Sequence, residues 1–377
     1  MPSMRQPKPL RMLGVTAVSE LLIKLALRNR EHDQLSIIKD VISPFIPPVM
    51  LQDVHLRVMH LLGSTYSSYA SPDIISYLLH ILLHPRMTEV DLSELSFIGN
   101  VELDSLDVVE NALIQLLPSM TQLTYVDLST HRFKITFPSC SDEILETLAM
   151  FCPHLVGLNL NFNNRVTGKG LHFLHPVGDH TGCAKLEKLF ILDCNVKPED
   201  VALLICSISN LKIIGYKELG TSLRMLKCRP KTYGLWNSNN QLKLTHVDNT
   251  MSGVQRCDGA VVEFLGEACP QVENLKIRIH DDDLERIQRL DQLKHLEVRF
   301  FTSTHHPVGF CTEMYLKNYG SLLVSFTIYC EILLSRALLA IAEGCTNLKK
   351  LFIHANVFVK SLALDACKNK LQKLEVL

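Results

Sequence analysis

Histidine and cysteine, side chains that bind zinc, cluster in two loops of the chain. The first cluster has four members and the second has three: His172, His175, His180 and Cys183, then His305, His306 and Cys311. Zinc sites usually carry closely spaced cysteine pairs, and this sequence contains no CxxC pair. We therefore interpret both clusters as solvated loop residues and predict no metal site.

Motifs that would carry catalysis are missing from the sequence. It contains no GxSxG, GxxxxGK[ST] or HExxH motif, and no GxGxxG between a strand and a helix. The acidic run 281–283 is short and is interpreted as a solvated helix start. None of the cysteines lies in an evidently basic, exposed setting that would favour a reactive thiolate. We predict no catalytic residue and no cofactor, so the protein is not expected to be an enzyme.

A nine-residue pattern, LxxLxLxxN, repeats along the chain. It is complete in residues 155–163 (LVGLNLNFN) and 348–356 (LKKLFIHAN), and residues 186–194 (LEKLFILDC) end in cysteine, which the pattern allows. Looser copies centre on Val90/Leu92, Val126/Leu128, Leu275/Ile277, Leu296/Val298, Phe326/Ile328 and Leu374/Val376. Repetition of this kind is typical of a stack of similar coils that share one continuous core.

The spacing predicts a strand in every copy. The central apolar pair is two residues apart, so both side chains point to the same face of an extended strand. Burial is therefore expected for Leu158, Leu160, Leu189, Ile191, Leu351 and Ile353. The residues between them face outward, and Asn163, Cys194 and Asn356 are predicted to hold the turns between coils. Helices are predicted at 141–152, 198–208, 258–269 and 335–345, each leading into the next strand.

Three helix ends share a further feature, a cysteine three residues before the first leucine position. It occurs in residues 151–155 (FCPHL), 268–272 (ACPQV) and 344–348 (GCTNL). This arrangement resembles the cysteine-containing repeats of F-box/leucine-rich-repeat proteins. The resemblance implies an α/β leucine-rich-repeat solenoid, a right-handed horseshoe with parallel strands on the concave face and helices on the convex face. It covers residues 85–377, with a degenerate region at 215–255.

The N-terminal part lacks the strand pattern. Residues 1–11 are expected to be flexible, and residues 12–84 to form three helices. Residues 22–26 (LIKLA), followed by 46–50 (IPPVM), resemble the Elongin-binding and cullin boxes of leucine-rich-repeat ubiquitin-ligase receptors, whereas residues 46–54 alternatively resemble the opening of an F-box. Leu21 and Ala26 depart from the first pattern, and the expected aromatic and tryptophan positions are missing from the second. A plain helical cap over the first coil is the competing interpretation.

Composition limits the class of partner. The formal net charge is −1 and the isoelectric point is near 7.0, which gives no electrostatic basis for binding nucleic acid or an anionic membrane. Residues 74–83, the most apolar segment, are about half the length that spans a bilayer. The 12 cysteines fall singly, which favours reduced thiols in a cytoplasmic and/or nuclear protein.

These observations predict a protein-recognition module. Its predicted partner-binding residues lie at outward strand positions: Asp127, Asn159, Asn161, Phe190, Lys276, Arg278, Glu297, Arg299, Tyr329, Phe352 and His354. An Elongin or Skp-type adaptor, and through it a cullin, would contact Leu21, Leu22, Leu25, Ile46 and Pro47. The predicted function is a substrate receptor of a cullin-RING ubiquitin ligase that holds a protein substrate on its repeats. A binding scaffold without any link to ubiquitination is the alternative.

Overall fold

The computed structural model describes residues 10–28, 48–97, 106–130, 140–176, 182–228, 241–248, 259–300 and 308–358. The chain divides into two compact units, residues 1–197 and residues 198–377. Within each unit, parallel strands alternate with helices, and neighbouring strands pair in chain order. This is the α/β leucine-rich-repeat fold that the sequence predicts.

Three helices open the first unit: α1 (Leu10–Arg28), α2 (Pro48–Ser64) and α3 (Pro72–Leu82). Four short strands follow: β1 (Glu89–Asp91), β2 (Tyr125–Asp127), β3 (Gly157–Asn159) and β4 (Lys188–Phe190). The helices among them are α4 (Leu106–Leu116), α5 (Asp142–Phe151) and α6 (Gly168–Phe173), with 3₁₀ turns at Ser93–Phe97 and Leu117–Ser119. Helix α1 packs on α2 and α3, while α2 contacts β1 and α3 contacts α4.

The second unit has six described strands: β5 (Ile213–Gly215), β6 (His246–Asp248), β7 (Asn274–Ile279), β8 (His295–Phe300), β9 (Ser325–Leu333) and β10 (Lys350–Phe358). Its helices are α7 (Pro198–Ser207), α8 (Leu219–Cys228), α9 (Gly259–Ala268), α10 (Phe310–Tyr319) and α11 (Ser335–Gly344). Two 3₁₀ segments, Asp281–Arg289 and Gly320–Leu322, complete the described elements. The four helices predicted beside the repeats are all present, within one or two residues of their expected ends.

The repeat leucines form the core. Leu158, Leu160, Leu189 and Ile191 are fully buried, and Leu351 is buried as well. Each large aliphatic side chain buried in this way contributes about 1.5–3 kcal/mol. Ile353, also predicted to be buried, is half-buried in β10, which pairs only with β9 among the described strands. The alternation of buried and outward residues in β3 and β4 confirms the predicted strand faces.

The predicted turn residues behave in two different ways. The amide of Asn163 donates to the carbonyls of Leu128 (2.8 Å) and Leu160 (3.0 Å), and its Oδ1 accepts from the backbone N–H of Cys140 (3.0 Å). The thiol of Cys194 lies 3.1 Å from the carbonyl oxygen of Leu160, so it also bridges neighbouring coils. The bridging contacts are confirmed for both residues, although Asn163 is buried and Cys194 only half-buried.

The prediction for Asn356 is wrong. This residue is exposed and lies within β10, which continues to residue 358 instead of turning. The physical reason is that apolar residues continue at every second position through 351, 353, 355 and 357, so the chain stays extended and places position 356 on the outward face.

Residues 215–255, expected to be degenerate, contain a recognisable coil. Helix α8 buries Leu223 and Leu226, and β6 follows with Val247 buried. Leu244 is buried just before that strand, where the first leucine of a repeat stands. Trp236 and the polar run 237–240 lie outside the described residues.

Candidate protein-binding surface

Four predicted binding residues lie side by side on the second unit. The strand register places Arg278 of β7 beside Arg299 of β8, then Tyr329 of β9, then His354 of β10. Parallel strands bring equivalent positions to about 4.8 Å from one another, so side chains at these positions touch across the sheet. We call these four residues the basic–aromatic row.

Contacts within the row hold its side chains in place. The guanidinium of Arg299 lies 4.5 Å from the centre of the Tyr329 ring, and the Tyr329 and His354 rings stack at 4.5 Å with planes 4° apart. Nε and Nη2 of Arg299 donate to one carboxylate oxygen of Glu297, at 3.0 and 2.8 Å. An arginine over an aromatic face gains cation–π attraction, and the carboxylate restricts its orientation further. These contacts restrict the orientations of the Arg299, Tyr329 and His354 side chains.

A second line of outward residues runs alongside the row. It joins Asp248, Lys276, Glu297, Thr327 and Phe352 in register across β6 to β10. Here Lys276 pairs with Asp248 (3.2 Å), while the ring of Phe352 is 40 % exposed. The surface therefore combines an accessible aromatic ring with partly exposed charges.

The equivalent outward positions of the first unit are used differently. Asp91, Asp127, Asn159 and Phe190 stand in register across β1 to β4. The carboxylate of Asp127 accepts from the backbone N–H and hydroxyl of Ser129 (3.0 and 2.7 Å) and from the Asn159 amide (2.8 Å). Polar groups at these positions hold the strand ends and their turns together.

Asp127 is consequently a correction to the predicted binding set. It occupies an outward strand position, yet only 8 % of its surface is exposed, because Ser129, Asn159 and Tyr125 cover the carboxylate. Burial, and then the Asp127 carboxylate, raise the pKa of the Tyr125 hydroxyl to about 12. A partner has little access to Asp127.

Two further predicted residues of this face are half-buried. The side-chain oxygen of Asn161 accepts from the backbone N–H of Leu192 (2.8 Å), and its backbone N–H donates to the Asn159 side chain (3.2 Å). Phe190 is half-buried beside them. The polar side chains in this part of the face therefore bond turns and have little surface left for a partner.

The predicted adaptor residues on α1 differ in their exposure to solvent. Leu22 is buried, with 1 % of its surface exposed, and Leu25 is half-buried, whereas Leu21 is 53 % exposed. Ile46 and Pro47 lie outside the described residues. Leu22 and Leu25 therefore stabilise the packing of the N-terminal helices, and Leu21 remains accessible.

A groove of about 450 Å³ lies between α1 and α2 of the first unit. Its lining residues are Arg11, Met12, Val15, Thr16, Asp53, Leu56, Arg57 and His60. Arg11 forms an ion pair with Asp53 at one end, which bridges the two helices. Exposed Met12 and Leu56 make part of its wall apolar.

The histidine and cysteine clusters remain without any sign of metal binding in the part that the structure describes. The His172 and His175 rings lie 5.2 Å apart, and Cys183 is buried, while His180, His305 and His306 fall outside the described residues. Among described residues, no group of three or more His, Cys, Asp or Glu side chains is placed to hold a metal ion.

Burial makes several of the described thiols poor nucleophiles. It raises the pKa of Cys152, Cys183 and Cys345 to about 12. Cys311, beside the acidic run, has its pKa raised to about 11 by burial and then by Asp281. Thiols with such values are protonated near neutral pH, and the protonated form does not attack.

Strand β5 of the second unit was missed from the sequence, and β6 lies in the region that was expected to be degenerate. β5 follows Leu211 and carries Ile214, with Tyr216 buried in the place of the second core leucine. β6 carries His246 and Asp248 on either side of Val247, which stands where the pattern expects leucine. The spacing of Leu211, Ile214 and Tyr216 was the available signal, because a tyrosine can fill a leucine position when it is buried.

No described helix is both long and apolar enough to cross a membrane.

Comparisons with protein-family models and with curated proteins find no match for this chain. Among solved structures, an internalin of Listeria monocytogenes is similar, with 15 % identity and a TM-score of 0.43, covering 84 % of this chain and 92 % of its own. A leucine-rich-repeat protein of Leptospira interrogans is similar at 10 % identity and a TM-score of 0.43, covering 80 % of this chain and 74 % of its own.

A third similar structure is the leucine-rich-repeat protein LegL7 of Legionella pneumophila, with 12 % identity and a TM-score of 0.40. It covers 80 % of this chain and 94 % of its own. The repeat assignment itself follows from this chain's strand register and from the burial of its repeat leucines.

Proposed function

We propose that the chain is a non-enzymatic module that binds another protein on the outward strand face of its second unit. The observation that carries the proposal is the ordered stack of Arg299, Tyr329 and His354 beside the exposed ring of Phe352. Arginine and tyrosine are enriched among the few residues that contribute most of the binding energy of protein interfaces, and ordering them in advance reduces the entropy lost on association. Repeat arrays commonly bind partners on such extended surfaces.

The test compares two surfaces of the same chain. A face variant, Tyr329→Ala with Phe352→Ser, removes the stack and the exposed ring. A control variant, Phe310→Ser with Met150→Ser, replaces two exposed apolar residues on helices α10 and α5. Intact protein and both variants are expressed at equal levels in cells, and the proteins that co-purify are quantified.

The proposal expects a set of partners that the intact chain and the control retain and the face variant loses. Retention of every partner by a face variant with an unchanged thermal midpoint would contradict it. Measuring the midpoint of each purified variant separates loss of binding from loss of fold.

A second candidate function is substrate reception for a cullin-RING ubiquitin ligase, with an Elongin or Skp-type adaptor bound by the N-terminal helices. What supports it is the resemblance of residues 22–26 and 46–50 to adaptor boxes, together with exposed Leu21 and the groove between α1 and α2. Burial of Leu22 and the packing of α1 on α2 and α3 instead favour the plain cap. In that case the chain is a scaffold without any link to ubiquitination.

Leu21→Ser is the informative variant for this second candidate, because Leu21 is exposed and its loss leaves the helix core intact. Met150→Ser is a matched control, since Met150 is exposed to a similar extent, 59 % against 53 %. Co-purification of Elongin or a Skp-type adaptor with the intact chain and with Met150→Ser, and its loss with Leu21→Ser, would support the receptor. If neither adaptor co-purifies with the intact protein, the receptor hypothesis is rejected and the alternative, a binding scaffold without any link to ubiquitination, is retained.

We also propose that the protein resides in the cytoplasm and/or the nucleus. The support is the set of described cysteines, all of them free thiols, most of which are buried or half-buried within the repeats. Reduced thiols persist in these compartments, whereas secreted proteins accumulate disulfides. Imaging of a tagged full chain tests this, and enrichment in the secretory pathway would contradict it.

A further inference from the structure

Three groups of the basic–aromatic row have hydrogen-bonding capacity that no described residue uses. Arginine carries five N–H donors, and Arg299 donates two of them, both to Glu297. Within the described part of the chain, the Tyr329 and His354 side chains make ring contacts in the row, which leave the hydroxyl and the ring nitrogens open. The Arg299 side chain is 43 % exposed and His354 is exposed, so the donors of these two residues are accessible, while Tyr329 is half-buried.

Their placement matches an acceptor that spans neighbouring strands. Arg299, Tyr329 and His354 occupy one register position on three successive strands, so their backbones lie within about 10 Å. The Glu297 carboxylate and the Tyr329 ring fix the guanidinium plane, leaving its remaining edge to hold a bidentate ligand. A planar carboxylate matches such an edge through two parallel hydrogen bonds.

The surrounding charges favour a singly charged acceptor. Glu297 stays next to Arg299 and repels any incoming anion, and its repulsion grows with each added negative charge. Lys276, in the same line as Glu297, is already paired with Asp248. Arg278, beside Arg299 in the row, adds positive charge, but the Glu297 carboxylate next to Arg299 opposes each further negative charge, so a carboxylate is better tolerated than a phosphate dianion or the backbone of a nucleic acid.

Phe352 adds an apolar contact beside these donors. It is the outward residue preceding His354 on β10, about 7 Å away along the strand, and its ring is 40 % exposed. A ligand that covers both needs an acidic group and an apolar group a short distance apart. Polypeptide segments with an Asp or Glu near a large apolar residue meet this requirement.

We propose that this part of the surface recognises an acidic, apolar-flanked segment of the partner protein through Arg299, Tyr329, His354 and Phe352. The proposal rests on the proposed function of the same surface and names the chemistry of its partner. Arg299 supplies the charge-assisted hydrogen bonds, Tyr329 and His354 extend the donor line, and Phe352 contacts the apolar residue.

The test is selection from a random dodecapeptide display library on the purified full chain, followed by fluorescence anisotropy on synthetic copies of the selected peptides. Each peptide is also made with Gln in place of Glu, Asn in place of Asp, and phosphoserine in place of the acid. The protein variants are Arg299→Gln and Tyr329→Phe, with Arg336→Gln on helix α11 as the matched control.

The expected result is enrichment of Asp or Glu next to a large apolar residue. Neutralising the acid or introducing Arg299→Gln should weaken binding about tenfold or more, since hydrogen bonds to charged groups are the strong ones. Tyr329→Phe should weaken it less, and Arg336→Gln should leave it unchanged. Selection without acidic enrichment, full affinity in Arg299→Gln, or tighter binding of phosphoserine peptides would each overturn the inference.

The two proposals fail in distinguishable ways. If the face variant Tyr329→Ala with Phe352→Ser loses its cellular partners while acid-to-amide peptides bind equally well, the surface binds protein but does not recognise acidic groups. If that variant keeps all of its partners and its fold, the proposed binding face itself is wrong.

Discussion

Each unit buries its own repeat leucines, but the outward strand residues of the two units differ in their contacts. In the first unit the strands are three residues long, and Asp127, Asn159 and Asn161 are tied into hydrogen bonds at the strand ends. In the second unit β7 to β10 run for six to nine residues, and the outward positions carry the basic–aromatic row. The outward residues of a repeat can therefore either bond its turn or remain accessible, and the residues after the second core position determine which.

The local cause of the difference is visible at the strand ends. Where Asp or Asn precedes the second core residue and Ser or Asn comes after it, the first side chain accepts the backbone N–H two positions on and the chain turns. Where apolar residues continue at every second position, as in residues 275–279, the chain remains extended. The longer strands then expose a further outward position, and the basic–aromatic row occupies that position.

The first prediction addresses the claim that the cores are alike. Leu189→Ala in β4 and Leu296→Ala in β8 should each lower the free energy of unfolding by about 2–5 kcal/mol, because each removes a buried side chain and leaves a cavity. Urea unfolding of the full chain measures both. A loss of less than about 1 kcal/mol in the free energy of unfolding for either variant would mean that the two cores are not alike.

The second prediction separates the two kinds of strand end. Asn163→Ala leaves the Leu128 carbonyl and the Cys140 N–H without this partner, while the Leu160 carbonyl keeps the Asn163 N–H and the Cys194 thiol. At about 1–3 kcal/mol for each of the two unmet groups, the substitution should cost about 2–6 kcal/mol. Asn356→Ala, at the matching position of an exposed strand, should change stability by less than about 0.5 kcal/mol. Equal costs would mean that both positions perform the same role.

The third prediction concerns acid, which should act first on the unit that contains His55. Burial lowers the pKa of His55 to about 4, against the opposing effect of its backbone hydrogen bond with Asp91. The unfolded chain takes up this proton near pH 6.5, so the stabilising contribution is present above that pH and is lost as the pH falls toward 4. The loss should amount to roughly 2–4 kcal/mol.

Hydrogen exchange at pH 7 and pH 5 measures the effect of His55 unit by unit. The described part of the second unit has no buried histidine, so its amides should keep their protection when those of the first unit lose it. His55→Gln should reduce the pH dependence of the first unit. An unchanged dependence in that variant would assign the acid sensitivity to other groups.

The fourth prediction, with the smallest expected changes in stability, compares a residue that bonds its turn with a residue of the proposed binding face. Asn159→Ala should cost about 1–2 kcal/mol of stability, because it removes the hydrogen bond to Asp127 and the one from the Asn161 N–H, and should leave partner binding intact. Arg299→Gln should change stability by less than about 0.5 kcal/mol, since its ion pair with Glu297 is partly exposed, yet it should weaken partner binding. Urea unfolding and the anisotropy assay measure both quantities for each variant. Weaker partner binding by Asn159→Ala, or a large loss of stability in Arg299→Gln, would contradict the prediction.

The sequence by itself was sufficient for the repeats, for most helices and for the strand faces. Leucines two residues apart predict a half-buried strand, because both side chains point to one face. Signals for the start of a helix are local in the sequence, such as Ser71 before Pro72, whose side chain accepts a hydrogen bond from the Ile74 N–H. Asn163 was predictable for the same reason, because the repeat pattern itself places an amide at the buried turn.

Only the tertiary structure decided which outward residues a partner can reach. Asp127 and Arg299 both occupy outward positions in the pattern, yet the carboxylate is covered by its neighbours while the guanidinium edge stays accessible. That outcome depends on the residues brought alongside by strands about thirty positions away in the sequence, such as Asn159 and Tyr329. Strand register, which a single strand's sequence does not contain, sets those neighbours and with them the chemistry of the surface.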